Sequence, residues 1–369
     1  MKKFVVIAKL SFCLACLNSC VESFTFDTSK EEDFLVVDGY ISDVSFDESV
    51  LEPMDPKYFQ ISLKMTNAVS NTIDEVVTSA QVELVDDSGE HWDYTETTGG
   101  IYRLYFEDFE AKEGKSYKLS IKLKNGEEYE SDLEFLPPSL EKGQIVYHED
   151  TTRDYRIIAG TKQITDIKGV NVKIQLPTNS SPETAYNRWD FVTTYGFIAR
   201  LNADTSDPNY RCWISEDLFF DEFVIQKGLS NGINQELFFF DTHSEAIHEG
   251  ISVLIRQQKM NLSYYQFWED LENQKKQAEL FAPPPYNMVT NIHPVGHEKP
   301  AYGYFGVVRE AFYRWQFDFK MVSYPIVYPD DLKNSCNIPR PPRSCYDCTR
   351  VVLVKRSTVT NARPSWWLD

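Results

Sequence analysis

The chain has 369 residues, room for two domains with ample core, and its 56 acidic against 37 basic residues give a net charge of −19. A surface this acidic argues against nucleic acid as a partner and against adhesion to anionic lipid head groups. Aromatic side chains are abundant, with 24 Phe and 21 Tyr, which favours a strand-rich protein.

Residues 1–19 read as a bacterial lipoprotein signal peptide. Lys2 and Lys3, with Lys9 further in, hold the start on the cytoplasmic side. The apolar run 10–17 is long enough to engage export machinery and too short to span a bilayer. Leu17-Asn18-Ser19-Cys20 closes it as a lipobox-like cleavage site. Cys20 becomes the first mature residue, and its thiol carries lipid, palmitate among the acyl chains. Each buried acyl CH2 contributes about 0.8 kcal/mol, so two or three chains anchor the protein permanently. The alternative is an ordinary cleaved signal or a short apolar anchor. Loss of Lys2, Lys3 and Lys9 with the signal lowers the net charge to −22. No later stretch approaches about eighteen apolar residues, so no transmembrane helix is expected.

A lipidated tether spans 20–33. A β-sandwich domain follows over 34–138, of immunoglobulin or fibronectin type. Its strands are expected at 34–41, 58–65, 80–85, 91–95, 101–105, 116–123 and 128–135. Asp87-Ser88-Gly89 and Asn125-Gly126 supply hairpin turns, and 42–56 reads as a polar loop. A larger β-rich domain is expected over 139–369. Its strands are placed at 170–176, 185–195, 212–214, 236–240, 250–256, 286–292, 303–308 and 311–319.

One amphipathic helix is expected near 263–277. Tyr264, Phe267, Trp268 and Leu271 fall on one face, and Ser263-Tyr-Tyr-Gln266 fits a capping box. Tyr265 lies off that stripe and is a candidate for contact with a partner. Arg188-Trp-Asp-Phe191 and Arg314-Trp-Gln-Phe317 echo each other. In each, Trp and Phe share one strand face and Arg takes the other. Trp366-Trp367 is either a partner-facing patch or a pin for the C-terminus.

Four cysteines remain in the exported chain: Cys212, Cys336, Cys345 and Cys348. An even number in an oxidising compartment implies two disulfides, and three pairings are open. The rival reading of Cys345-Tyr-Asp-Cys348 is a redox or metal site, but its Pro-rich setting reads as loop. His243 with His248, and His293 with His297, read as solvated loop histidines rather than metal ligands. No nucleophile elbow, zinc-protease or phosphate-loop motif occurs. No catalytic, cofactor or metal residues are assigned, and no enzyme activity is expected.

Several segments, in this order, carry a resemblance. They are Cys20 with Glu22, the opening 31–41, the 80–89 module and Gly100-Ile-Tyr102. Then come 117–121, Arg188-Trp189, Cys212-Trp213, 262–269 and Gly303-Tyr-Phe-Gly306, with the Cys345–Cys348 tail ahead of Trp366-Trp367. The chain resembles the domain-of-unknown-function 4249 family of Bacteroidota outer-membrane lipoproteins. The resemblance implies an outer-membrane location, often beside a TonB-dependent transporter, and implies no reaction. The expectation is a surface-exposed, non-catalytic accessory or ligand-capture subunit of such a β-barrel transporter. A surface adhesion or structural module is the alternative, and an extracellular hydrolase a third reading.

Overall fold

Residues 301–316 form one long strand on which two sheets meet. The computed structural model describes residues 33–51, 58–66, 75–158, 160–177, 184–217, 223–229, 234–277, 288–326, 336–352 and 357–367. The signal, Cys20 and the tether up to residue 32 lie outside the described residues.

In chain order the strands are β1 (Leu35–Ser42), β2 (Gln60–Met65), β3 (Glu75–Val76), β4 (Gln81–Asp86), β5 (His91–Asp93), β6 (Thr95–Thr98) and β7 (Ile101–Arg103). Then come β8 (Ser116–Lys122), β9 (Glu128–Ser131), β10 (Glu134–Phe135), β11 (Gln144–Ile158), β12 (Thr161–Gln175), β13 (Thr184–Ile198) and β14 (Arg211–Glu216). The last are β15 (Val224–Leu229), β16 (Asn234–Asp241), β17 (Ile251–Lys259), β18 (Ile292–Val295), β19 (Ala301–Gln316) and β20 (Ser357–Thr360). The helices are α1 (Phe46–Leu51) and α2 (Leu262–Gln277). The fold is mainly β, as the alternating patterns imply.

An N-terminal sandwich is present. One sheet runs β1-β2-β7-β6, and the facing one runs β18-β9-β8-β4-β5. Alternate residues point inward, so Leu35, Val37 and Ile41 meet Leu84, Leu119 and Ile121 in one core. Burying each such side chain contributes roughly 1.5–3 kcal/mol. This core is not closed at residue 138. Ile292, Ala301, Phe305 and Val307 belong to it, because β18 pairs with β9 and β19 runs parallel to β1. The parallel partner of a strand cannot come from a tight hairpin, so it arrives from far along the chain.

The first half of β19 pairs with β1, from Leu35↔Ala301 to Ser42↔Val308. The second half pairs antiparallel with β17, from Lys259↔Arg309 to Ser252↔Gln316. The result is one 11-stranded sheet, β20-β14-β13-β17-β19-β1-β2-β7-β6, with β15 and β3 at its sides. Close approach at the join demands glycine. Gly303 has φ +92°, and a Cβ there would lie 1.9 Å from the Val37 carbonyl oxygen.

The later half of the sheet packs on a three-stranded layer, β11-β12-β16, around Val172, Trp189, Phe240, Val253 and Trp315. The echoed motifs do sit alike: β13 and β19 flank β17, Trp189 and Trp315 enter this core, and Phe317 packs against it. The α2 helix lies on the opposite face. Tyr264 stacks on Tyr304 at 4.8 Å, over Gly306, where a Cβ would strike the Tyr264 ring. Among the described residues no helix is long and apolar enough to cross a membrane.

Several local expectations need correction. The 42–56 loop holds α1, whose first turn gains a hydrogen bond from Glu48 N–H to Ser45 Oγ. The strand expected at 170–176 is the end of the 15-residue β12, paired along its length with β11. The strands expected at 303–308 and 311–319 are one. Ser263 lies inside α2, and its hydroxyl bonds Tyr304 rather than capping the helix. Tyr265 is buried, 5.2 Å from the Tyr186 ring, because this helix packs on a wider face than its apolar stripe.

The disulfides are Cys212–Cys348 and Cys336–Cys345. The first ties β14 to the tail across a separation of 136 residues. Trp367 is buried against Trp213, and Trp366 lies over Arg314 at 3.3 Å. The pair therefore pins the C-terminus.

Candidate ligand-binding cleft

The face of the large sheet opposite the two cores carries polar side chains where an apolar row would be expected. Along β13, Trp189 and Phe191 go to the core, so Arg188 and Asp190 go to the other face. On β17, Ile255 goes inward and Arg256 outward. On β1, Val37 and Ile41 go inward and Asp38 and Tyr40 outward. On β19, Ala311 goes inward and Glu310 outward.

Register then assembles the site. Arg188 lies opposite Gln258, which lies opposite Glu310. One row on, Asp190 lies opposite Arg256. Directly opposed residues on neighbouring strands hold their side chains within bonding reach. Arg188 Nη1 donates to Asp190 Oδ2 at 2.9 Å and to Gln258 Oε1 at 2.7 Å. Arg256 Nε donates to Asp190 Oδ1 at 2.8 Å, and its Nη2 lies 2.7 Å from the same oxygen. Arg256 Nη1 donates to the Tyr40 hydroxyl at 2.9 Å, and Gln258 Nε2 donates to Glu310 Oε1 at 3.0 Å. One carboxylate thus holds two guanidinium groups.

The Arg188 plane lies 3.9 Å from the centre of the Trp268 ring on α2. Stacking fixes the guanidinium by cation–π attraction and leaves its edge for hydrogen bonds. Burial and the nearby acids act in opposite senses here. Burial works against the Arg256 charge, but Asp190, Tyr40 and Glu310 outweigh it and keep Arg256 protonated. Burial pushes the Glu310 carboxyl up, against the pull of Arg256 and its hydrogen bonds. Burial likewise pushes the Tyr40 hydroxyl up, so it remains a neutral donor.

Over this floor open two adjoining cavities of about 290 Å³ and about 370 Å³. Both are lined by Asp38, Arg188, Asp190, Asp217, Arg256 and Trp268. The first also reaches Gln60, Ser62 and Tyr58. Tyr58 begins an aromatic ladder at the rim. Its ring is parallel to Phe46 at 4.2 Å and edge-on to the exposed Tyr105 at 4.7 Å, and its hydroxyl donates to Glu107 at 2.8 Å. Concave sites with an apolar wall and a few fixed polar groups are where small ligands bind.

The model of the family described as Domain of unknown function (DUF4249) matches residues 21–314. The chain belongs to this family. No curated protein and no solved structure matches it. The DUF4249 match takes in the sandwich, α2 and every cleft residue named above. The tail with Cys336, Cys345 and Cys348 lies beyond it.

The residues singled out from sequence do not converge here. Cys20 lies outside the described residues, and Cys212, Cys336, Cys345 and Cys348 are all spent in disulfides at the far edge of the large sheet. His243 lies 3.1 Å from Asp241, and His293 lies 3.1 Å from Asp132, both on the surface. Among the described residues no group of three His, Cys, Asp or Glu side chains is arranged to hold a metal ion. The cleft itself went unread. Its signal was the alternation of Arg188 and Asp190 with Trp189 and Phe191 on β13, and of Arg256 and Gln258 with Ile255 on β17.

Proposed function

We propose that this DUF4249 protein is a lipid-anchored outer-membrane protein facing the cell exterior, a non-catalytic subunit that captures a ligand for a TonB-dependent transporter. The observation that carries the reading is the Arg188–Asp190–Arg256 cluster on the floor of the cleft. A buried ion network adds little stability against an apolar replacement, since desolvation offsets its attraction. Rigid strands holding such a network under a cavity are what ligand recognition requires. The lipobox ending at Cys20 supports the anchor, and the acidic net charge suits a body held off the membrane.

A second reading, a surface adhesion module, is favoured by the arm formed by β11 and β12. These strands pair over their full lengths, whereas β16 covers only Gly169–Gln175 of β12. The remaining arm exposes Tyr155 and Ile164.

The test is a pull-down of tagged protein from gently solubilised outer membranes, with Cys20→Ala as control. Recovery of a stoichiometric β-barrel transporter supports the accessory role. An anchored protein that comes down alone rejects it and moves adhesion to the front. Membrane retention of Cys20→Ala rejects the lipid anchor.

A further inference from the structure

We infer that the cleft takes a neutral, polyhydroxylated ligand, an oligosaccharide, whose hydroxyls meet Arg188 and Asp38 and whose ring faces pack on the Tyr58 ladder. The inference rests on the capture reading above and names the ligand class.

The charges come first. Among the described residues four acidic side chains line the two cavities, Asp38, Asp190, Asp217 and Glu310, against two basic ones, Arg188 and Arg256. Both cations are already held by Asp190. Even with Glu310 protonated the lining is net negative, and the whole chain carries −19. An anionic ligand would enter against this field and, among the described residues, meet only cations that Asp190 already holds.

The hydrogen-bonding inventory comes second. Arg188 is 9% exposed, and among the described residues its side-chain hydrogen bonds leave from Nη1. A guanidinium fixed by stacking on Trp268 and lining both cavities turns its remaining edge donors toward an incoming oxygen. Nearby, Asp38 is exposed and can only accept, while Gln60 and Ser62 do both. A ligand facing this wall must both donate and accept at neighbouring positions without carrying charge. Vicinal hydroxyls do so.

The apolar surface comes third. The Phe46–Tyr58–Tyr105 ladder runs from the cleft to the surface, and Tyr105 is 48% exposed. Flat aromatic faces beside a polar floor match the alternation of C–H faces and hydroxyl edges on a sugar ring. The length of the ladder favours several linked rings over one.

The experiment applies detergent-solubilised lipidated protein to an array of neutral hexose and pentose oligosaccharides and of uronate-containing ones. The strongest neutral hit is then titrated calorimetrically. Retention of a neutral oligosaccharide, with its uronate counterpart at least about tenfold weaker, is the expected result. Tyr58→Ala, at the rim, should weaken binding by about tenfold or more, while the protein stays folded with a urea midpoint lowered only by the lost Phe46 and Tyr105 ring contacts. Arg188→Lys, which keeps the charge but loses the planar fork that holds Asp190 and Gln258, should weaken binding by a similar factor and also lower the urea midpoint. Retention of uronates alone, of no glycan at all, or full-strength binding by Tyr58→Ala overturns the inference. Co-purification of a transporter alongside such a failure would leave the capture role standing and remove only the ligand class.

Discussion

Asp190→Asn removes the one charge that two guanidinium groups share. The Asp190 side chain is 9% accessible, and its contacts to Arg188 and Arg256 span 2.7–2.9 Å. Stripping one partner from a buried ion pair costs roughly 3–5 kcal/mol, because the remaining charge stays desolvated. Here Arg188 keeps Gln258, Arg256 keeps Tyr40, and 27% of the Arg256 side chain is reached by solvent. The expected loss therefore sits at the low end, about 3 kcal/mol. With a slope of about 3 kcal/mol per molar for a chain of this size, the urea midpoint falls by about 1 M. Tryptophan emission should follow the transition, since Trp268 covers Arg188. Replacing the pair together, Asp190→Leu with Arg256→Met, should recover about 1–3 kcal/mol as coupling in a double-mutant cycle. A loss under about 1 kcal/mol for Asp190→Asn would refute the view that these charges depend on one another.

Further expectations concern the frame around the cleft. Cys212→Ser opens a loop of 136 residues, which on chain-entropy grounds costs about 5 kcal/mol; a thermal scan within a degree of the native protein would contradict this. Gly303→Ala places a Cβ on the Val37 carbonyl at positive φ, so β1 should part from β19, with a loss of about 3 kcal/mol or more and early proteolysis of the N-terminal strand. Equal protease resistance would sink that expectation. At Asp86, burial raises the carboxyl, but Lys115 and the hydrogen bonds from Ser88 and Glu90 N–H outweigh it and hold it well below the usual range. A depressed folded-state value stabilises the protein above the unfolded value of about 3.8, and the gain is lost as pH falls through the folded one. Asp86→Asn should therefore be less stable than the native protein at pH 7. The gap should narrow as the medium is acidified below pH 3.8. A gap that stays constant down to pH 2 argues against the ion pair as its source.

Period-two alternation made most strands legible, because one buried face imposes it on β1, β2, β4 and β8 regardless of what lies opposite. The same logic made the α2 stripe and the Arg188 and Arg314 echo readable. Turn chemistry did the rest: Asn125-Gly126 marks a hairpin because Gly126, at φ +91°, adopts the left-handed backbone that other residues resist. Local rules also kept the cysteines even in number while leaving their partners open.

Tertiary structure decided everything that depends on distant neighbours. Which strand lies beside β1 is not a local property, so the parallel pairing with β19 and the merging of two sheets into one were invisible in a list of strands. The α1 turn escaped because a six-residue helix is held by its surroundings rather than by its own periodicity. The β11 strand escaped because a largely exposed ribbon carries no hydrophobic alternation. Tyr265 was misplaced because a stripe predicts one packing surface, and this helix meets β19 and Tyr186 together. The cleft depends on register above all. A shift of one residue between β13 and β17 would separate Asp190 from Arg256 and send Arg188 into the apolar core. Sequence by itself determined which faces are apolar and which polar. Only the folded sheet decided which polar residues meet, because side-chain direction is set by the residue's own strand and side-chain partnership by its neighbour.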